Sequence, residues 1–457
     1  MIRQSTSTLR TQSKASDPER SQQRRWLLAI FGTALLGRFM AFSSFITRHP
    51  HDWLYGHPFE MGLLANSLIH GQGLSSPFGS PTGPTAFIAP GYPTLIAAVF
   101  LIFGSYTFVS AIVIMLLQIM ISLITIWLMM RFAQEVFDLR AARLAGAFWA
   151  VSLPLLWIPF IFWETSLSAC AFIGIVALAL RCSRNPTTAY WVLIGAACAS
   201  AALVNPAMLP SLLAIMGWTT WQTWRANRAG PAVGLLVLTI LFASWPIRNA
   251  VRFHAFIPLR STVGFELWMG NRPGSDGFLD ESVYPMFNKQ ELAKYVAMGE
   301  VAYTNDKSAQ AWDYVRAHPG AFLSLSARRV YRYWMGRGNR DGHIIYAFHA
   351  GLTSLLGLAG LVLIYRRGNR SFAVLMAIPI LLFPLPYYIT HAEFRYRLNI
   401  DPLMTVLAAY AATQMVAAWS RHRAARKIPQ EQLEPVHTYA KQPGHLGFEP
   451  FVFPPPA

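Results

Sequence analysis

Two acidic side chains stand out because the segment around them is almost free of other charges. Asp52 and Glu60 are the only carboxylates between residues 47 and 104, and Arg48 is the one basic residue there. Apolar surroundings raise the pKa of a carboxyl group toward the range of a general base, which takes a proton from a reacting hydroxyl group. The simpler alternatives are a solvated loop carboxylate and, for Glu60, an acidic residue that stabilises a helix N-terminus. The sequence alone leaves both interpretations open.

Histidines cluster around the first of these carboxylates. His49, His51 and His57, together with Asp52, could supply two or three metal ligands. Their spacing follows no established zinc pattern. We therefore assign no metal site, although the sequence neither requires nor excludes a divalent metal. His57 is kept as a further candidate site residue.

A second group of candidates is basic. Arg395 and Arg397 lie just ahead of the last apolar run, in the sequence His-Ala-Glu-Phe-Arg-Tyr-Arg that begins at His391. A guanidinium group makes two parallel hydrogen bonds to phosphate, so these arginines suit a phosphate carried by a lipid. An ion pair with Glu393, or with lipid headgroups, explains them equally well.

Two more charged residues lie in or beside apolar runs. Arg38 is in the middle of the first run, where a charge is costly and usually faces a polar cavity or a partner. Glu164 falls at the turn between the third and fourth predicted spans. It is either a functional carboxylate or an ordinary loop residue, and we favour the loop residue.

The composition shows what kind of molecule must position these side chains. Of the 457 residues, 54% are hydrophobic and 13% are charged, whereas soluble proteins have about a quarter of their residues charged. This excludes a cytosolic enzyme, a secreted disulfide-rich domain and a fibrous protein. The net charge of +17 does not indicate a nucleic-acid partner, because the basic residues concentrate at the termini and beside apolar runs, as cytoplasmic loops require.

Ten apolar runs predict an all-α, polytopic membrane protein with about ten transmembrane helices. The runs cover residues 26–46, 105–130, 142–161, 165–181, 190–204, 207–220, 232–248, 344–365, 371–390 and 401–420. The pair at 190–220 is open to two interpretations, because Asn205-Pro206 either turns a hairpin or kinks one long helix.

Basic residues predict the orientation of these spans. No Lys or Arg occurs from residue 49 to residue 130, whereas the loops near residues 131–143, 181–184, 225–228 and 366–370 are basic. The positive-inside rule then places both termini and these loops in the cytoplasm. It also places two loop regions, residues 47–104 and 249–343, on the outer face. We expect residues 1–25 and 421–457 to be disordered tails, with residues 26–420 forming the transmembrane domain.

Four stretches, in this order, resemble membrane glycosyltransferases of the GT-C fold. The similarity is greatest to the family 39-like group, which includes bacterial aminoarabinose transferases and protein mannosyltransferases. It runs from about Leu27 to Ala418. It is carried by Arg38, by residues 60–65 with 71–73, 84–86 and 90–93, by residues 245–249 with Gly264 and 270–271, and by residues 395–398 with Pro402.

The resemblance implies a transfer reaction on the outer face of a membrane, the bacterial inner membrane in that group. A sugar would pass from a polyprenyl-phosphate donor to a lipid, glycan or protein acceptor, with inversion at the anomeric carbon. A carboxylate in the first outer loop would take the acceptor proton, and cationic side chains would stabilise the leaving phosphate. Membrane lipids are the other partner that this interpretation requires.

The sequence departs from the family pattern at the catalytic position. Many members have an Asp-Glu pair where this chain has His57, so Asp52 and Glu60 are assigned jointly as the catalytic carboxylates. A lysine of several members is replaced by Ala89. Arg395 and Arg397 are the first candidates for donor phosphate, followed by Arg260 and Arg272. The alternative function is a polytopic transporter or lipid flippase, for which the spans carry few of the expected polar residues.

Overall fold

Residues 17–48, 60–336 and 344–426 are described by the computed structural model of the chain. Every regular element within these ranges is helical, apart from one isolated antiparallel bridge between Ser75 and Pro84. The predicted all-α fold class is therefore confirmed. The chain forms two compact units, Met1–Thr413 and Gln414–Ala457, and the first contains every site described below.

The helices are numbered in chain order. The first ten are α1 (Asp17–Arg48), α2 (Glu60–Ile69), α3 (Gly91–Phe103), α4 (Phe108–Val136), α5 (Leu139–Val151), α6 (Leu153–Trp157), α7 (Thr165–Arg184), α8 (Thr188–Val204), α9 (Leu209–Thr223) and α10 (Ala229–Phe253). The remainder are α11 (Val263–Gly270), α12 (Lys289–Met298), α13 (Glu300–Ala317), α14 (Pro319–Met335), α15 (Ile344–Arg366), α16 (Arg370–Leu382), α17 (Leu385–Ile389), α18 (Phe394–Leu398) and α19 (Asp401–Arg426).

Seven spans among the described residues are long and apolar enough to cross a membrane: α1, α4, α7, α10, α15, α16 continued by α17, and α19. The segment from Leu139 to Phe160, which contains α5 and α6, makes eight when it is counted as one span; it is bent by 63° at Ser152, just before the turn of α6 that contains Pro154. The chain is therefore a multi-pass membrane protein. All ten predicted apolar runs are helical, but α8 and α9 are only 17 and 15 residues long.

The α8 and α9 helices form a hairpin and not one kinked helix. The side chain of Asn227, after α9, donates a hydrogen bond from Nδ2 to the carbonyl oxygen of Pro186, before α8, at 3.1 Å. The start of α8 and the end of α9 therefore lie side by side. The chain reverses at Asn205, whose Oδ1 accepts a hydrogen bond from the Ala207 amide at 3.2 Å.

The first helix is longer than the sequence pattern predicted. It begins at Asp17, whereas disorder was expected up to residue 25. Pro18 and Glu19 occupy its first turn. A proline followed by an acidic residue is a sequence signal of a helix N-terminus, which the pattern of apolar residues alone does not reveal. The remaining residues of both predicted tails, 1–16 and 427–457, lie outside the described part of the chain.

The two predicted loop regions, called here the first loop segment (47–104) and the second loop segment (249–343), pack on one another. Their shared core is aromatic. Phe78 and Phe87 lie 5.1 Å apart between ring centroids, Phe78 lies 5.0 Å from Tyr295, and Phe87 lies 5.8 Å from Phe265. The apolar area removed from water by these rings stabilises the contact.

The buried carboxylate of Glu300 joins the two loop segments by hydrogen bonds. Glu300, at the start of α13, accepts from the Thr85 hydroxyl at 2.5 Å and the Ala86 amide at 2.7 Å in the first loop segment. It also accepts from Ser261 Oγ at 2.7 Å and the Tyr295 hydroxyl at 2.6 Å in the second. Four donors from both segments therefore converge on the carboxylate of Glu300, a residue that is only 6% exposed to solvent.

Replacing this carboxylate should separate the segments. We expect Glu300→Gln to lower the melting temperature of the protein in detergent. One carboxylate oxygen is replaced by an NH₂ group, whose N–H donors would face the hydrogen-bond donors that the carboxylate oxygen accepts from in the wild type. An unsatisfied buried hydrogen-bonding group costs about 1–3 kcal/mol. The control is Asp313→Asn, which removes an exposed carboxylate from the same segment and should leave the melting temperature unchanged. Equal melting temperatures for the two variants would contradict the role of Glu300.

Candidate active site

A cavity of about 360 Å³ opens where the loop segments meet the ends of the spans. Its walls come from the start of α2, the connections that precede α7, α9 and α11, and the chain between α17 and α18. Four carboxylates line it, Glu60, Glu164, Glu266 and Glu281, together with the basic residues Arg260, His391 and Arg395. A cavity of this size with a few convergent polar groups is typical of a small-molecule site.

Glu60 is the carboxylate of this cavity that is best suited to take a proton. It is the first residue of α2, is 7% exposed and is hydrogen-bonded by Tyr284. Burial raises the pKa of Glu60 above its ordinary value of 4.5, and the Tyr284 hydroxyl, Arg395 and Arg260 only partly offset that rise. A carboxylate with a raised pKa is a stronger base than a solvated one while it remains ionised near neutral pH.

Two guanidinium groups share the cavity with Glu60. Arg395 lies over the ring of Trp163 at 3.9 Å and pairs with Glu393 through Nε at 2.6 Å. Burial would lower the pKa of Arg395, but Tyr396, Glu393 and Glu164 raise it, so this arginine stays charged.

Arg260 is the other guanidinium. Its Nε donates to the carbonyl oxygen of Phe87 at 2.9 Å, which fixes the side chain at the cavity wall. Three candidate residues from the sequence analysis therefore line one cavity: Glu60, Arg260 and Arg395.

His391 and Glu266 form a close pair in the cavity lining. His391 Nδ1 lies 2.9 Å from Glu266 Oε2. Burial would raise the pKa of Glu266, but the charge and hydrogen bond of His391 outweigh burial and lower the pKa, aided by Arg260 and Arg395. Glu266, with a lowered pKa, is therefore a weaker base than Glu60 and acts here as a fixed negative charge.

Glu164 is the cavity residue that the sequence prediction favoured as an ordinary loop residue. It precedes α7, and its Oε2 is buried without a hydrogen-bond partner among the described residues. A buried carboxylate oxygen without a protein partner is costly, and an atom of this kind in a cavity is available to water or to a ligand. Its position next to Trp163, between two apolar runs, was the available sequence signal.

The other predicted arginines lie elsewhere. Arg397 is fully buried, pairs with Asp401 and donates to Thr353 Oγ1 at 2.9 Å, so the structure uses it to join α18, α19 and α15. Arg272 pairs with Asp280 and lies outside the cavity lining.

Arg38 is also outside the cavity. It is fully buried in α1, where Nε and Nη2 donate to Ser122 Oγ at 3.1 and 2.7 Å, and Nη1 donates to the Ala34 carbonyl oxygen. Neutral oxygen atoms thus satisfy this charge inside the bundle. Asp52 and His57, with His49 and His51, lie outside the described residues. In the described part of the chain no three His, Cys, Asp or Glu side chains are grouped to hold a metal ion.

One solved structure has a similar arrangement of helices over most of this chain. The chain superposes on the apo oligosaccharyltransferase of Archaeoglobus fulgidus with a TM-score of 0.51 and 16% identity, covering 87% of this chain and 52% of that one. The fold is GT-C-like. With 52% of the archaeal protein covered, the chain spans about half of that protein's length. The predicted fold family is confirmed.

Two further structures are similar at lower scores. The oligosaccharyltransferase AglB from A. fulgidus, in complex with an inhibitory peptide and a dolichol-phosphate, gives a TM-score of 0.44 at 15% identity, covering 83% of this chain and 48% of that one. ArnT from Cupriavidus metallidurans, bound to undecaprenyl phosphate, gives 0.38 at 14%, covering 89% and 81%. The chain matches no family model and no curated protein.

The wall that carries His391 depends on a glycine. A Cβ atom on Gly270 would collide with the carbonyl oxygen of Thr390, the neighbour of His391. We expect Gly270→Ala to push the end of α11 away from the chain between α17 and α18, and to lower the melting temperature by several degrees. Gly320→Ala is the matched control, because nothing lies within 4 Å of its added methyl group. If Gly270→Ala melts like the wild type, this close approach is not required.

Proposed function

We propose that the protein is a glycosyltransferase that moves a sugar from a polyprenyl-phosphate donor to a hydroxyl group of a lipid, glycan or protein, on the outer face of the membrane. The observation that carries this proposal is the meeting of Glu60 with Arg260 and Arg395 in one cavity. Glu60 and Arg260 come from the two loop segments, and Arg395 comes from the connection before the last span.

Glu60 acts as the general base in this proposal. It takes the proton of the acceptor hydroxyl group as the acceptor oxygen attacks the anomeric carbon of the sugar. The bond between that carbon and the phosphate oxygen breaks, so the attack and the departure occur on opposite faces and the configuration inverts. The raised pKa of Glu60 matches this role, because proton transfer is most effective when the base has a pKa near the working pH.

Arg395 and Arg260 bind the phosphate of the donor. Its charge grows as the bond to the sugar breaks, and two guanidinium groups in a cavity of low polarity stabilise that charge. The wall between α8 and α9, with Pro206, Ala207 and Pro210, is apolar and offers a path for the lipid chain.

The acceptor would enter from the side of the second loop segment. Leu279, Tyr284, Met286 and Phe287 of this segment line the cavity. Apolar and aromatic side chains at this edge can contact an acceptor without competing for the phosphate. The proposed orientation has the transfer site on the outer face of a bacterial inner membrane and both termini in the cytoplasm.

Removing the base should remove the activity. We expect Glu60→Gln to lower kcat for sugar transfer by about 10²-fold or more, the usual contribution of a general base. The measurement is transfer from a panel of radiolabelled polyprenyl-phosphate sugars by the purified protein in detergent. Asp313→Asn serves as the exposed control. If Asp52→Asn abolishes transfer while Glu60→Gln retains it, the base is Asp52; if no donor binds or turns over, the transporter alternative gains.

The pH dependence of kcat provides a separate test. A base must be deprotonated, so the rate should fall as the pH drops through the pKa of Glu60, which lies above 4.5 because the carboxyl group is buried. Tyr284→Phe removes a hydrogen bond that lowers the pKa of Glu60, so this variant should lose activity at a higher pH than the wild type. An acidic limb that does not move in Tyr284→Phe would contradict the assignment of Glu60.

The role of Arg395 in binding the donor phosphate is tested by comparing it with Arg272. Arg395→Gln should raise the KM for the donor about tenfold or more, because a charged hydrogen bond to phosphate is lost. Arg272→Gln is the matched control, since it removes the same charge outside the cavity lining and should leave the donor KM unchanged. An equal rise in both variants would show that the phosphate binds elsewhere.

A further inference from the structure

A second cleft lies at the opposite end of the helix bundle from the cavity. It has a volume of about 90 Å³ and lies between α1, α4 and the start of α5. Its polar and aromatic lining consists of Gln23, Trp26, Trp127, Arg131, Gln134 and Arg143. Gln23 is near the beginning of α1 and Arg131 near the end of α4, whereas the other ends of both helices adjoin the first loop segment. The cleft is therefore separate from the proposed transfer site.

The cleft is positively charged. Arg131 is exposed and Arg143 half-buried, and Nε of Arg143 is buried without a hydrogen-bond partner in the described ranges. No carboxylate lines the cleft among the described side chains. Two carboxylates adjoin the lining along the chain. Glu135 is engaged by Arg181 at 3.2 Å and by Arg184 at 2.5 Å, and Asp138 caps α5 by accepting a hydrogen bond from the Ala141 amide at 2.7 Å.

Two tryptophans flank these charges. Trp26 and Trp127 are 45% and 50% exposed, and the guanidinium of Arg143 lies over the ring of Trp26 at 5.3 Å. Tryptophan is enriched at the level of the lipid headgroups, where one edge of the ring meets water and the rest meets acyl chains. The floor of the cleft is apolar, from Phe31 and Met130. A ligand that fits has a phosphate at one end and hydrocarbon at the other.

We propose that this cleft binds the headgroup of an anionic phospholipid. The phosphate accepts hydrogen bonds from Arg131 and Arg143, Gln23 and Gln134 contact the glycerol ester region, and an acyl chain passes between the two tryptophans. Basic pockets between spans on the cytoplasmic side recognise lipids in this way. A free phosphate ion would use the arginines only and would have no need of the aromatic and apolar surface.

The test is the number and affinity of lipids retained by the full-length protein in native mass spectrometry. Phosphatidylglycerol is titrated against phosphatidylcholine of the same chain length. The site variant is Arg131→Gln with Arg143→Gln. The control variant is Arg225→Gln with Arg228→Gln, which removes the same charge from the exposed connection between α9 and α10, at the same end of the bundle.

The proposal predicts that the site variant retains one phosphatidylglycerol fewer than the wild type and that its affinity for this lipid falls about tenfold. The control variant should match the wild type in the number of bound lipids and in affinity. The single variant Arg131→Gln, whose side chain is exposed, must shift the affinity in the same direction without affecting folding. Equal losses in the site and control variants, or equal binding of phosphatidylcholine, would overturn the proposal. So would displacement of the lipid by millimolar inorganic phosphate, which would assign the cleft to the free ion.

Discussion

The carboxylate of Glu300 is the constraint on which the rest of the structure depends. It is buried at the start of α13 and receives hydrogen bonds from Thr85, Ala86, Ser261 and Tyr295, so both loop segments are ordered around one charge. Arg248 adds to this junction by donating to the carbonyl oxygens of Thr85 and Leu74 at 2.7 and 2.8 Å. A buried charge persists only when it is satisfied this fully.

The cavity follows from this junction because its walls come from parts of the chain that are far apart in sequence. Glu60 and Arg395 are the clearest example, since Glu60 begins α2, Arg395 lies in α18, and the fold brings both to the same cavity. Helix termini, a tight approach at Gly270 and the turn at Asn205 supply the remaining wall. The spans provide a frame, and the connections that protrude from one end carry the chemistry, as is usual for loops on rigid scaffolds.

The sequence predicted the all-α polytopic fold and its apolar helices well, because a run of apolar residues fixes a membrane helix with little help from tertiary contacts. It over-counted the spans, since α8 and α9 are short and the described residues hold seven or eight helices long enough to cross a membrane, not ten. It could not distinguish Arg395 from Arg397, which are two residues apart on a short helix and therefore point in different directions. The spacing of Arg397 to Asp401, one helical turn, was the signal for an internal ion pair. Nothing local marked Glu300, since its four partners are brought to it only by folding. Glu164 could not be assigned to the cavity for the same reason, because only the folded structure shows that this turn carboxylate lies among the cavity residues.

The central claim is that the cavity around Glu60 holds the phosphate of a lipid-linked sugar. An experimental structure of the protein with a short-chain polyprenyl phosphate tests this most directly. The account predicts phosphate oxygens about 3 Å from the guanidinium groups of Arg395 and Arg260, with the Glu60 carboxylate facing the space beside the phosphate. A phosphate bound outside this cavity, for example at Arg272, with Arg395 and Arg260 making no contact to it, would contradict the claim.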